Sequence, residues 1–127
     1  MALVPDANCN TGLDAMFVTS TVYYMSLHTA TPGTTGASEV TGGSYARQAI
    51  TFSASATHVK VSGGADASQS FTGMPVEAGG VPYAGIWTTI TTGTYLGGLT
   101  TSGLSGAISV GATINFAGGA TTWTMTS

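Results

Sequence analysis

Apolar and polar positions alternate in short runs along most of the chain, the period of half-buried β-strands. Val22–His28 places Tyr23, Met25 and Leu27 on one face and predicts a first strand. Arg47–Phe52 and Thr57–Val61 predict a second and a third, and Ala67–Val76 reads as extended, with Pro75 near its end. Tyr83–Ile90 predicts a buried strand, Thr91–Thr94 a hairpin-type connection, and Tyr95–Thr100 the returning strand. In the C-terminal part Ile108, Val110, Ala112, Ile114 and Phe116 share one parity, with a turn expected inside the run at Gly111-Ala112, and Thr121–Met125 closes the chain as a last strand. Only the N-terminal segment departs from this period. Leu13, Met16 and Phe17 fall at i, i+3 and i+4, which predicts a short helix capped by Asn10 or Thr11 and packed as a lid on one end or edge of the sheet. The expectation is an all-β, antiparallel β-sandwich, jelly-roll-like, with one short N-terminal helix. It forms a single domain over residues 1–127, in which residues 1–10 serve as an arm toward a neighbour.

Charge changes this picture most. Charged residues make up 6% of the 127 residues, against about 25% in an ordinary soluble domain. Asp6, Asp14, Glu39, Asp66, Glu77, Arg47 and Lys60 are all of them. The polar surface must then be mostly Thr, Ser and Gly. Such a surface costs little to strip of water, because ionised groups are the expensive ones, and it predicts association with other subunits. Two basic residues cannot make a phosphate-binding stripe, which argues against nucleic acid. No run approaches the roughly 20 apolar residues of a membrane helix, and the first residues lack the basic and apolar regions of a signal peptide. Cys9 is the only cysteine, so no internal disulfide forms; synthesis and folding in a reducing cytoplasm are expected.

One segment is distinctive. Residues 26–48 read SLHTATPGTTGASEVTGGSYARQ. This closely resembles a family of small tailed-phage virion structural proteins with an LHTADPG-like start followed by TTGxxEVTGGxYARQ, described as tail-fibre or minor structural and decoration proteins. Thr31 stands where that pattern usually has Asp, a local departure in the turn. The resemblance continues more weakly through Gly85-Ile86-Trp87 and the run from Gly111 to Ala120. It implies a virion location and assembly in the host bacterial cytoplasm.

The segment also has a physical reading. Pro32-Gly33 predicts a tight turn in a long connection. Glu39 and Arg47 flank Gly42-Gly43, so the chain can fold back and pair them. A pair screened from solvent pins the loop to the next strand, whereas a solvated pair is worth at most about 1 kcal/mol. Tyr45 is expected to anchor the loop through its ring. His28 ends its strand just before the turn and is expected to hydrogen-bond loop backbone. His28, Pro32, Gly33, Glu39, Tyr45 and Arg47 are therefore the candidate interaction and loop-anchoring residues.

Catalytic, cofactor and metal sites are not expected. One Cys and two separated His, His28 and His58, do not make a zinc set, and no DxDxDG-like spacing gathers calcium ligands. Asp66 and Glu77 are a formal carboxylate pair without a sign of a cleft, no GxSxG elbow occurs, and Cys9 reads as a small buried apolar group. Trp87 reads as core, while Trp123 is either core or part of a sugar platform. Three functions follow. The first is a capsid decoration protein, a homotrimer clamping the major capsid protein. The second is a tail-fibre or tail-tip component in host attachment. The third, of another class, is a carbohydrate-binding module for a host surface glycan.

Overall fold

A computed structural model of the chain describes residues 6–56 and 59–124, and of Asp6, Trp123 and Thr124 it describes the backbone alone. Among the described residues one helix, α1 (Asp6–Met16), is followed by eight strands. These are β1 (Tyr23–His28), β2 (Gln48–Ile50), β3 (Val59–Val61), β4 (Gln69–Phe71), β5 (Tyr83–Trp87), β6 (Tyr95–Thr100), β7 (Ile114–Phe116) and β8 (Thr122–Thr124). They form a four-stranded sheet of order β2-β1-β5-β6 and two two-stranded sheets, β3-β8 and β4-β7. β1 with β5, β5 with β6, and β3 with β8 pair antiparallel. The chain is thus of the all-β, antiparallel sandwich class with one short N-terminal helix, as the alternation predicts. The contacts gather into two compact units, one of Met1–Val22, Ile50–Gln69 and Phe116–Ser127, the other of Tyr23–Ala49 and Ser70–Asn115.

In the first unit α1 packs on β3. The helix begins earlier than its apolar spacing predicts, at Asp6, so residues 6–10 of the expected arm are helical and residues 1–5 lie outside the described part. Asn10 and Thr11 are consequently interior and not caps; the Thr11 hydroxyl donates back to Ala7 O at 2.8 Å. The buried stripe also differs from the expected one. Cys9, Leu13 and Phe17 are buried at four-residue intervals, whereas Met16 is 44% exposed and outside the stripe. Phe17 meets Phe52 with ring centroids 4.9 Å apart. Burying each such ring contributes about 1.5–3 kcal/mol.

Lys60, wholly buried on β3, ties this unit together. Its Nζ donates to Asp14 Oδ1 at 2.5 Å and to Thr19 Oγ1 at 3.0 Å. Asp14 Oδ1 also accepts the Ser55 backbone N–H at 3.0 Å, and Ser55 Oγ donates to Asn10 O at 2.9 Å. The Lys60 ammonium first, and the Ser55 N–H second, hold the Asp14 carboxyl below the ordinary carboxylate value. A group depressed in the folded state stabilises above its unfolded pKa, about 3.9, and stops doing so as pH falls through the folded value. Below pH 4, circular dichroism should therefore show α1 melting, and Asp14→Asn should reduce that acid dependence while weakening the helix at neutral pH.

The strands of the second unit follow the predicted ones with shorter ends. β5 stops at Trp87, and residues 88–94 form its connection to β6. The alternating run near the C-terminus breaks where Gly111 takes φ 78, a turn conformation that glycine adopts without strain. Only Ile114–Phe116 of that run is a strand, and Ile108 forms an isolated bridge to Glu77. Thr57, His58 and Met125, placed by the sequence pattern in strands, lie outside the described residues.

The register of β1, β5 and β6 explains why β1 is buried almost throughout, with a pattern tighter than one-faced alternation predicts. Met25↔Ile86 and Leu27↔Ala84 lie on one face, where all four side chains are fully buried in an apolar core. Ser26↔Gly85, His28↔Tyr83 and Tyr24↔Trp87 lie on the other. That second face is polar, and the long loop between β1 and β2 covers it.

Candidate functional site

The loop of residues 29–47 is held on the polar face by three sets of contacts. The first is a chain of hydrogen bonds through β1. His28 Nδ1 lies 2.7 Å from Ala37 O, an acceptor, so Nδ1 carries the proton and donates. His28 Nε2 then accepts from Ser26 Oγ at 2.7 Å, and Ser26 Oγ accepts from Trp87 Nε1–H at 2.9 Å. The Ser26 hydroxyl thus accepts from Trp87 and donates to His28, and the neutral imidazole has one tautomer.

Burial lowers the His28 pKa, with the Ala37 carbonyl and Glu39 opposing it. A base depressed in this way gives the folded state its full stability above the unfolded value, about 6.5. Stability then falls as pH drops from there toward the folded value, because the unfolded chain binds the proton first. The thermal midpoint should decline between pH 7 and pH 5. The decline should persist in His58→Asn and disappear in His28→Gln.

The second set is the ion pair. Arg47 Nε and Nη2 donate to Glu39 Oε1 and Oε2 at 2.9 and 2.7 Å, a bidentate fork. Arg47 and Glu39 side chains are 9% and 20% exposed, which is the geometry of a screened pair and not of a solvated one. Arg47 Nη1 donates to Thr89 O and Thr92 O at 3.1 and 2.8 Å, and the guanidinium sits 3.8 Å over the Trp87 ring. Thr92 carries φ 53, a left-handed conformation that costs a non-glycine residue about 1 kcal/mol and aims its carbonyl at Arg47. Tyr45 completes this set. Its hydroxyl accepts Leu27 N–H at 2.9 Å and donates to Glu39 Oε1 at 3.1 Å, and its ring stacks on Phe71. Burial pushes the phenol pKa far up, so it remains a donor.

The third set is glycine contact. Pro32 is buried, and its carbonyl accepts from Gly36 N and Ala37 N at 3.0 and 3.1 Å. The turn therefore spans residues 32–37, wider than the tight Pro-Gly turn the sequence predicts, because Gly33 and Gly36 both take positive φ, 58 and 75. Gly33 is exposed with open space around it, while Gly36 lies flat against the Trp87 ring.

His28, Pro32, Glu39, Tyr45 and Arg47 thus converge on one network, with Gly33 at its rim. Ser26, Gly36, Gly85, Trp87, Thr89 and Thr92 belong to it as well, although sequence reasoning did not assign them there. Trp87 is half-buried between Arg47 and Tyr95, and its ring meets that of Tyr95 edge-on at 5.1 Å. A shallow cleft of about 420 Å³ lies beside the pair, lined in part by Val40, Tyr45 and the exposed Ile90.

A serine hydroxyl on a histidine nitrogen is the arrangement of a nucleophile and its base. Here both residues are fully buried, the hydroxyl also takes the Trp87 N–H, and the second ring nitrogen holds a backbone carbonyl. No substrate reaches that oxygen without dismantling the loop. Among the described residues no group of three His, Cys, Asp or Glu side chains is placed to hold a metal. No helix among them is long and apolar enough to cross a membrane.

Compared with known families, residues 8–124 match a family model described as Podophage GP4 fiber I protein gp80. No curated protein matches the chain.

Proposed function

We propose a non-enzymatic role in the virion's fibre apparatus, from the premise that the chain belongs to the podophage GP4 fiber I protein gp80 family, a family of phage fibre and structural proteins. The observation that carries the fibre location is the extent of the match, residues 8–124, which takes in both compact units and the whole pinned loop. The chemistry of the chain supports a scaffold and not a catalyst. The polar groups of His28, Ser26, Glu39, Tyr45 and Arg47 satisfy one another, and the side chains a nucleophile–base pair would need are sealed. The surface supports packing against other virion proteins. Both cations of the chain, Arg47 and Lys60, are buried in ion pairs, so the outside is threonine-, serine- and glycine-rich with a few carboxylates. Such a surface is readily desolvated against a neighbouring subunit.

The test is the position and number of copies in purified particles. Antibody-gold labelling at the tail, with a copy number of a small multiple of the tail symmetry, is the expected result. Labelling spread over the head at hundreds of copies would replace the fibre role with that of a decoration protein on the major capsid protein. Binding of the isolated chain to purified host glycan, with absence from particles, would replace both with a carbohydrate-binding module.

A further inference from the structure

We propose that the outer edge of β6 is a self-association site, at which a second copy of this chain adds its own β6 antiparallel with the two Leu99 side chains facing each other. This inference is independent of where the protein sits in the particle.

Among the described residues the four-stranded sheet ends at β6. Thr101 N–H donates inward to Pro82 O at 2.9 Å. Alternation along an antiparallel strand therefore turns the N–H and C=O of Thr100 and Gly98 outward, away from β5. Both residues are exposed. An open row of this kind is a template for another strand, and proteins commonly blunt it with lysine, proline, a bulge or a covering segment. β6 carries no charge and no proline; indeed no charged or histidine side chain occurs anywhere after Glu77. A bulge is present but sits at one end. Ile86 pairs with Gly97 and Trp87 with Tyr95, which leaves Leu96 as the extra residue. The regular edge runs from Gly97 to Thr100.

That edge is complementary to itself. When two copies meet antiparallel about Leu99, Gly98 of each stands opposite Thr100 of the other. The outward N–H and C=O groups then satisfy one another in two reciprocal pairs. Leu99 meets its counterpart in the intervening non-hydrogen-bonded pair, the closer of the two spacings. Leu99 pairs with Ala84, which pairs with Leu27, and those two side chains are fully buried on the apolar face. Joining the strands continues that apolar row into the second copy. A charge-free edge of leucine between a glycine and a threonine offers a charged partner nothing and a second copy of itself no repulsion, which is why the occupant is this chain.

The experiment is sedimentation velocity and native mass spectrometry on the full chain across a concentration series, with residue-resolved amide exchange. The wild type should form a concentration-dependent dimer in which the Gly98 and Thr100 amides become at least tenfold slower to exchange. Leu99→Lys and Leu99→Glu should each stay monomeric where the wild type dimerises, and an equimolar mixture should give the heterodimer. A wild type that remains monomeric into the millimolar range overturns the proposal. So does an oligomer in which the Gly98 and Thr100 amides stay fast, or a failure of two folded charge variants to pair. Should either variant unfold by circular dichroism, the wild-type amide result decides alone.

Discussion

Glu39→Ala is expected to be among the most destabilising single substitutions in the second unit, costing roughly 3–5 kcal/mol, the loss seen when one partner of a buried pair is removed. The cost arises less from the lost attraction than from what remains. Arg47 is 9% exposed and packed over Trp87, so without the carboxylate its charge stays desolvated with only the Thr89 and Thr92 carbonyls to compensate. Tyr45 loses its acceptor as well, so the hydroxyl that takes Leu27 N–H no longer has a carboxylate to donate to. Thermal denaturation should show a midpoint lowered by about 10–20 °C. Replacing both members, Glu39→Met with Arg47→Met, should restore much of the loss, because an apolar pair leaves no buried charge. A solvated pair would behave otherwise: each single change would cost under about 1 kcal/mol and the double change would restore nothing.

Gly36→Ala is expected to cost about 2–5 kcal/mol, and two effects add. Gly36 has φ 75, which penalises any Cβ by about 1–2 kcal/mol. The Cβ would also lie 2.6 Å from Trp87 Cη2 and 2.9 Å from Tyr95 Cδ2, and overpacking of this kind adds about 1–3 kcal/mol. Trp87 cannot retreat, since Arg47 covers its ring and Ser26 holds its N–H. Gly33→Ala separates the two effects. It shares a positive φ, 58, but nothing lies within 4 Å of the added atom, so only the backbone cost should appear. Chemical denaturation of the two variants side by side reads the difference, and a change in tryptophan emission should accompany Gly36→Ala alone.

The strands were legible in the sequence because their signal is local. Tyr95–Thr100 and Tyr83–Trp87 show as a buried run, a Thr/Gly turn and a second run, and the glycine at 111 marks the break in the alternating segment that follows. The start of α1 was not legible. Apart from Ala7, Asp6 to Asn10 is made of indifferent helix formers, and what holds the helix there is tertiary: Ser55 on Asn10 O and Asp14, and Lys60 on Asp14. Burial of Lys60 carries no local mark either, since its partner is forty-six residues away. In the loop, Glu39, Tyr45 and Arg47 could be singled out because charge is so scarce and the fold-back is short. Their companions could not. Trp87 Nε1 meets Ser26 Oγ across sixty-one residues, and Ser26 is one serine among many in a serine-rich chain. The polar face of β1 is hidden for the same reason. Alternation reports one buried face, and only the register with β5 and the overlying loop reveal that the other is buried too.

The seclusion of both cations has a practical corollary. The peptide bonds after Lys60 and Arg47 are the only ones in the sequence that trypsin could recognise, and both side chains are locked inside carboxylate clasps. Cleavage after Arg47 therefore reports opening of the loop clasp, and cleavage after Lys60 reports release of the N-terminal helix, two separable clocks for the breathing of the two units.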